Sequence, residues 1–166
     1  MQTFLPEPNF QSCAAVLDSK RLVKQLLEGR QIMAALAGTT KGWVNHPATR
    51  MWKGYEHVFL LYLSHMRNEM DRRGYKTQNN WDEICRIYDQ HFSDNEKYVE
   101  PPWMKNRMGE FGRVINTHRR ALYLKDPIHY DSYKEYCWAF NLVCCKSCNY
   151  YWPTHTIGAS NESSFT

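Results

Sequence analysis

Apolar residues recur along this chain with the spacing of helices, and no stretch alternates in the manner of a strand for more than a few residues. Over residues 17–38, Arg21, Lys24, Gln25 and Glu28 fall at i, i+3, i+4 and i+7 on one face, with Leu22, Val23, Leu26 and Met33 mostly opposite. Asp18 is placed to cap such a helix and Gly38 to end it, which predicts one amphipathic helix of about five turns. A second helix can begin at Pro47. There Met51, Tyr55, Val58, Tyr62, Met66 and Met70 repeat with heptad-like spacing, and the run closes on Arg72, Arg73 and Gly74, cations and glycine at a C-terminus. That stripe predicts the central core helix. Asn80 with Glu83 has the form of a capping box opening a short helix to about His91, and Pro101 and Pro102 precede a basic helix that ends near Lys125, before Pro127.

The remaining segments complete an all-α expectation. Pro6 and Pro8 prevent an early helix and leave residues 1–17 as an extended arm threaded toward the polar stripe. Residues 130–151 are rich in aromatics and compatible with helix or irregular chain, and from about Thr154 no apolar period persists, so residues 154–166 are expected to be a disordered tail. The expected architecture is a single compact domain over residues 1–153. In it a few helices surround the central one, which packs between the first helix and the helix 110–125.

Length and composition agree with one domain, since 166 residues with 43% hydrophobic content suffice for a core. No apolar run approaches the roughly 18 to 20 residues that span a bilayer, and the start lacks a basic segment followed by an apolar one. A soluble, intracellular protein is expected, with no membrane partner. The net charge of +4 permits a polyanionic partner without requiring one. Cations concentrate at residues 20–30, 67–76 and 105–125, and acids at 82–100, a distribution that suggests one basic face. Solvated helix faces are also routinely charged.

Two metal readings carry less weight. Cys137, Cys144, Cys145 and Cys148 cluster with His155 nearby, but their spacing is not that of two Cys-x-x-Cys knuckles, so reduced, buried thiols are expected. His46, His57, His65 and His91 raise a histidine-dependent metal hydrolase, yet His57 and His65 lie on the helix patterned for core packing. Glu28 itself has two readings. It is either a solvated partner of Lys24 at i−4, worth a few tenths of a kcal/mol, or a general acid/base held among cations.

A resemblance bears on that choice. Leu17-Asp18, Arg21-Leu22-Val23 and Glu28 resemble the first helix of the pyrimidine-dimer DNA glycosylases, the endonuclease V-like family of bacteria and viruses. Further pieces similar to that family follow in order: Gly42-Trp43, Asn45-His46-Pro47, His57-Val58, Arg73-Gly74-Tyr75-Lys76, Pro101-Pro102-Trp103, His118-Arg119-Arg120, Lys125-Asp126 with His129-Tyr130, and Tyr151-Trp152-Pro153. The resemblance implies a cofactor-free and metal-free DNA repair enzyme acting on damaged duplex DNA as glycosylase and AP lyase, and a monomer is expected. The runner-up is a catalytically silent DNA-binding protein of the same fold.

In the resembling family the chain's terminal amine is the nucleophile. An α-amine, ordinarily of pKa about 7.7 to 8.0, is roughly one-tenth neutral at pH 7, whereas a lysine near 10.4 is almost wholly protonated. Initiator methionine is normally retained before a large residue, and Gln2 is large, so the nucleophile maps onto Met1 and the family's glutamate onto Glu28. Arg21 stands where the phage member has a histidine, and Leu27 where it has an arginine. Phosphate neutralisation is therefore expected from Arg21, Lys24 and Arg30. By the same resemblance His46 is expected to contact a phosphate or a flipped nucleotide, and His118, Arg119 and Arg120 to contact DNA. Tyr151 and Trp152 are expected to stack on an unpaired base.

Overall fold

A computed structural model describes residues 1–93, 98–138 and 150–154, and the following statements concern these. The predicted fold class is observed: the described residues form α-helices and one 3-10 turn, with no strand. In chain order the helices are α1 (Phe10–Val16), α2 (Ser19–Leu36), α3 (Pro47–Arg50), α4 (Glu56–Arg72), α5 (Gln78–His91), α6 (Pro102–Lys105), α7 (Glu110–Lys125) and α8 (Glu135–Trp138), with the 3-10 turn Asp131–Tyr133 before α8.

The best-anticipated element is α2. Asp18 caps it, its carboxylate accepting the Arg21 N–H at 3.1 Å. At the other end Gly38 takes φ 70°, the Gly38 N–H reaches Ala35 O at 3.2 Å and the Thr39 N–H reaches Ala34 O at 3.0 Å, a Schellman closure. The α4 terminus repeats it with Gly74 at φ 78°. The two helices approach closely where Gly29 meets Leu63, since a Cβ there would lie 2.3 Å from Leu63 Cδ2. Leu22, Leu26, Ile32 and Met33 of α2 are buried against Val58, Phe59, Tyr62, Leu63 and Met66 of α4. Each such side chain contributes about 1.5–3 kcal/mol by leaving water.

Several expectations are corrected. The helix foreseen from Pro47 is two, because Gly54 at φ 82° turns the chain before Glu56. Met51 and Trp52 remain buried in the turn, which preserves the inward stripe. Pro6 and Pro8 do not exclude an early helix, since Asn9 caps α1 just beyond them by accepting the Ser12 N–H at 2.7 Å. Asn80 lies inside α5, which starts two residues earlier behind Thr77. The basic helix is also two, separated where Asn106 Oδ1 accepts the Gly109 N–H at 2.8 Å. Helix α4 packs on α1, α2 and α5, and α7 packs on α6, α8 and the 3-10 turn, so the central helix is not a layer between α2 and α7. On α2 the stripe is rotated slightly: Gln25 is buried and Val23 exposed.

The loop between α2 and α3 is exposed over Lys41 to Asn45 and carries Trp43 at φ 64°. That left-handed conformation costs a bulky residue on the order of 1–3 kcal/mol. The tail from residue 155, with Cys144, Cys145, Cys148 and His155, lies outside the described residues. Cys13 and Cys85 are free thiols. Among the described residues no helix is long and apolar enough to cross a membrane.

Candidate active site

The N-terminal arm runs through the molecule, and its backbone is satisfied by side chains from three helices instead of by a ladder. Gln2 N–H donates to Glu28 Oε2 at 2.8 Å. Phe4 N–H lies 3.1 Å from both Gln25 Oε1 of α2 and the Tyr62 hydroxyl of α4, and that hydroxyl is itself 2.6 Å from Gln25 Oε1. Leu5 N–H donates to His118 Nδ1 of α7 at 2.8 Å. Gln25, Tyr62 and His118 are all buried, and buried polar groups must be paired within the protein, so these bonds fix the register of the arm. Farther along, the Trp52 indole N–H donates to Thr3 Oγ1 at 3.3 Å and the Thr49 hydroxyl approaches Met1 Sδ at 3.7 Å.

The register matters because of where the arm ends. Met1, Gln2, Phe4 and Glu28 line a cleft of about 430 Å³ together with Lys20, Arg21, Lys24, Lys125 and Tyr150. One carboxylate and the chain terminus thus face four cationic side chains drawn from α2 and the end of α7. Arg21 is held in place by Asp18, at 2.7 Å, and by Asp126, at 3.9 Å, with its guanidinium 5.8 Å from the Tyr130 ring centroid. Burial opposes the charge on Asp18, but the Tyr130 hydroxyl and Arg21 prevail and hold its carboxyl below the usual range.

His46 belongs to this site by electrostatics. It caps α3, its Nδ1 accepting the Ala48 N–H at 3.1 Å, which places the proton of the neutral ring on Nε2. Burial first, and the terminal ammonium second, press its pKa down, while Glu28 acts in the opposite sense. The ring is thus within electrostatic reach of both the amine and the carboxylate.

Three expected DNA contacts lie elsewhere. His118 is fully buried: its Nδ1 is engaged by Leu5, burial holds its pKa at about 3, and its Nε2 has no partner. It positions the arm and does not face solvent. Arg119 donates to Pro6 O at 2.6 Å and to Glu7 Oε2 at 2.8 Å, and also to the Tyr136 hydroxyl, with the Tyr133 and Tyr136 rings 5.3 and 4.8 Å from its guanidinium. It fastens the arm. Arg30 lies two positions beyond Glu28, about 200° around the helix. It interacts with Glu83 of α5, its Nε buried and without a hydrogen-bond partner, and is not in the cleft.

The others fall between. Arg120 is half-buried on α7. Tyr151 donates to Glu110 at 2.9 Å and carries the Arg113 guanidinium 4.0 Å from its ring centroid, so one face is taken. Trp152 is half-buried between His46, at 6.4 Å, and His118, at 5.4 Å. Sequence reasoning did not single out Lys20 and Lys125. Lys20 precedes Lys24 by one helical turn and extends the same stripe, but no local signal brings Lys125 to it. Among the described residues no three His, Cys, Asp or Glu side chains form a group that could hold a metal ion.

The sequence matches the family model for pyrimidine dimer DNA glycosylase over residues 1–98. That span contains Met1, Glu28, His46 and the helices α1–α5 that hold them, and stops before α6. No curated protein and no solved structure matches the chain. The family match covers 98 of 166 residues, and the chain belongs to the pyrimidine dimer DNA glycosylase family of DNA repair enzymes.

Proposed function

We propose that the protein excises damaged bases, pyrimidine dimers foremost, from duplex DNA and then cuts the strand, using the Met1 α-amine as nucleophile and Glu28 as proton shuttle. Residues 1–153 form the catalytic unit in this reading. The neutral amine attacks C1′ of the damaged nucleotide and the glycosidic bond breaks, the base leaving with the electron pair. Opening of the C1′–O4′ bond, with a proton delivered to O4′, yields an imine. Loss of a C2′ proton then expels the 3′ phosphate by β-elimination, and water hydrolyses the imine to restore the amine.

Glu28 serves two steps in this scheme: its charge stabilises the developing oxocarbenium-like sugar, and its oxygens relay the protons for ring opening and elimination. The nucleophile and the proton relay are both protein groups, so each step is written without metal or cofactor. Lys24, Arg21, Lys20 and Lys125 neutralise the phosphates flanking the sugar, and the neutral His46 ring donates from Nε2 to a phosphate or to the extruded nucleotide.

The observation that carries this reading is the 2.8 Å hydrogen bond from Gln2 N–H to Glu28, one residue from the terminus, in a cleft lined by cations. Incubation with an abasic-site duplex and borohydride, followed by mass mapping of the trapped peptide, tests it. The adduct is expected on Met1. An adduct on Lys20, Lys24 or Lys125, the three lysines of the same cleft, would overturn the terminal-amine mechanism.

A further inference from the structure

We infer that the indole of Trp43 is a stacking subsite for a nucleobase that has left the helical stack beside the reacting sugar. This rests on the glycosylase reading, in which a base must leave the duplex before C1′ can be reached. Such a base loses both its stacking neighbours, and an aromatic face replaces one of them.

The environment of Trp43 differs from that of the other tryptophans whose side chains are described. Trp52 and Trp103 are buried in the core, Trp81 is covered by the Arg67 guanidinium 5.2 Å from its ring centroid, and Trp152 is wedged among His46, His118 and Tyr150. Trp43 is 53% exposed. Its backbone is left-handed at φ 64°, a conformation that bulky residues rarely adopt, and an exposed ring gains little burial to offset it. Strain of this kind at an open aromatic residue marks a ligand contact more readily than a packing need.

Its position favours a base over other partners. Trp43 meets His46 at 5.5 Å with the rings inclined at 76°, and His46 feels both the terminal ammonium and Glu28. From His46 the rings continue through Trp152, at 6.4 Å, to Tyr150, at 5.5 Å from Trp152, on the cleft wall. An unbroken aromatic line thus joins the exposed indole to the reaction centre. Exposed Lys41 and Arg50, on the same loop and on α3, supply charge for the flanking phosphates. The apolar area is only Trp43 and Val44 amid Lys41, Gly42 and Asn45, too small and polar for a protein interface, which would need a patch of several hundred Å².

The test compares Glu28→Gln protein, silent in catalysis, with the same protein carrying Trp43→Ala or Trp43→Phe, on dimer-containing and undamaged duplexes of one sequence. Trp43→Ala is expected to weaken binding to the damaged duplex about 5- to 150-fold, the range that removal of one stacking contact produces. Affinity for undamaged duplex should stay within about twofold, and Trp43→Phe, which keeps a ring, should recover most of the loss. Unchanged affinity for the damaged duplex, an equal loss on both duplexes, or a change of oligomeric state in sedimentation would each overturn the proposal. A parent protein that does not prefer the damaged duplex would overturn the glycosylase reading as well. A parent that prefers it and loses nothing on Trp43→Ala removes the stacking subsite alone.

Discussion

Residues 20–30 on α2 and residues 118–120 on α7 are both short cationic runs on amphipathic helices, and in the folded protein they face different things. On α2, Lys20, Arg21 and Lys24 line the cleft with Glu28, and only Arg30 turns away toward α5. On α7, His118 and Arg119 turn inward and hold residues 5–7 of the arm. What separates them is whether another segment crosses the polar face. The arm passes over α7 with unpaired backbone groups and the Glu7 carboxylate, and the neutral His118 ring and the Arg119 guanidinium are consumed in pairing them. At α2 the arm terminates, so Glu28 and the lysines meet an open cleft; Arg21 is held by Asp18 and Asp126, and Lys20 and Lys24 are the α2 cations left facing the cleft.

The largest expected effect is on chemistry and falls on the α2 side. Glu28→Gln keeps the size of the side chain and an oxygen that can accept the Gln2 N–H, but removes the charge and the proton acceptor. Base excision and strand cleavage in single-turnover assays are expected to fall by about 10²- to 10⁴-fold, with DNA affinity within a few fold. Cleavage of a dimer-containing duplex at near the wild-type rate would return Glu28 to the role of a solvated partner of Lys24.

On the α7 side the corresponding change acts on stability. Arg119→Ala strands the Pro6 carbonyl and leaves Glu7 with the Tyr133 hydroxyl, 2.6 Å away, as its remaining side-chain partner. Chemical denaturation should show a loss of roughly 2–3 kcal/mol, because a half-buried carboxylate loses its cation. The salt slope of DNA binding should not move. A variant of normal stability that binds DNA more weakly would show that Arg119 reaches the phosphates after all.

How much of this was legible along the chain depends on the range of the interaction. The ends of α2 are decided by Asp18, Gly38 and their immediate neighbours, and local spacing reveals them. The stripe that carries Lys24 and Glu28 is equally local. Spacing places Gln25 on the polar stripe, but Gln25 is buried and bonded to the Phe4 N–H of the arm, 21 residues away. His118 binds Leu5 across 113 residues, and no periodicity within α7 distinguishes a histidine that faces the arm from one that faces DNA. Tyr62 kept its place in the apolar stripe of α4, yet its hydroxyl at the far end does polar work that the stripe does not announce. The break at Gly54 leaves no mark in the periodicity, because Met51 and Trp52 continue the inward pattern through a turn that is not helical.

The buried state of His118 gives the comparison a pH signature. Burial holds the folded pKa at about 3 against an ordinary 6.5, so between those values the unfolded chain binds a proton that the folded chain does not. This contribution to stability is complete above about pH 6.5 and is lost as pH falls toward 3, with a slope of at most ~1.4 kcal/mol per pH unit. His118→Gln retains an acceptor for the Leu5 N–H without the titration, and its acid limb should be flatter than that of the wild type over this range. Glu69, held at about 2 by Arg72 and Arg73 against burial, contributes a loss below about pH 4.5 in both proteins and cancels in the difference. Parallel acid limbs would mean that His118 is accessible and titrates normally.

The smallest effect sharpens the α2 side, where the lysines are taken to be unspent. Each phosphate that a cation neutralises adds about −0.9 to the slope of log affinity against log salt. Lys24→Ala and Lys125→Ala, made on the catalytically silent Glu28→Gln background so that turnover does not disturb equilibrium, should each reduce the magnitude of that slope by about one. Both side chains are exposed, so unfolding free energies should stay within about 0.5 kcal/mol of the parent. The pair is informative because Lys24 comes from within the span matched by the family and Lys125 from the end of α7 beyond it. If only Lys24 lowers the slope, the duplex lies along α2 and does not bridge the cleft. If both do, the strand crosses the cleft between the two helices, with Met1 and Glu28 beneath the sugar that joins the two phosphates. If neither does, the cleft cations are solvated surface charge, and the contrast drawn between α2 and α7 fails.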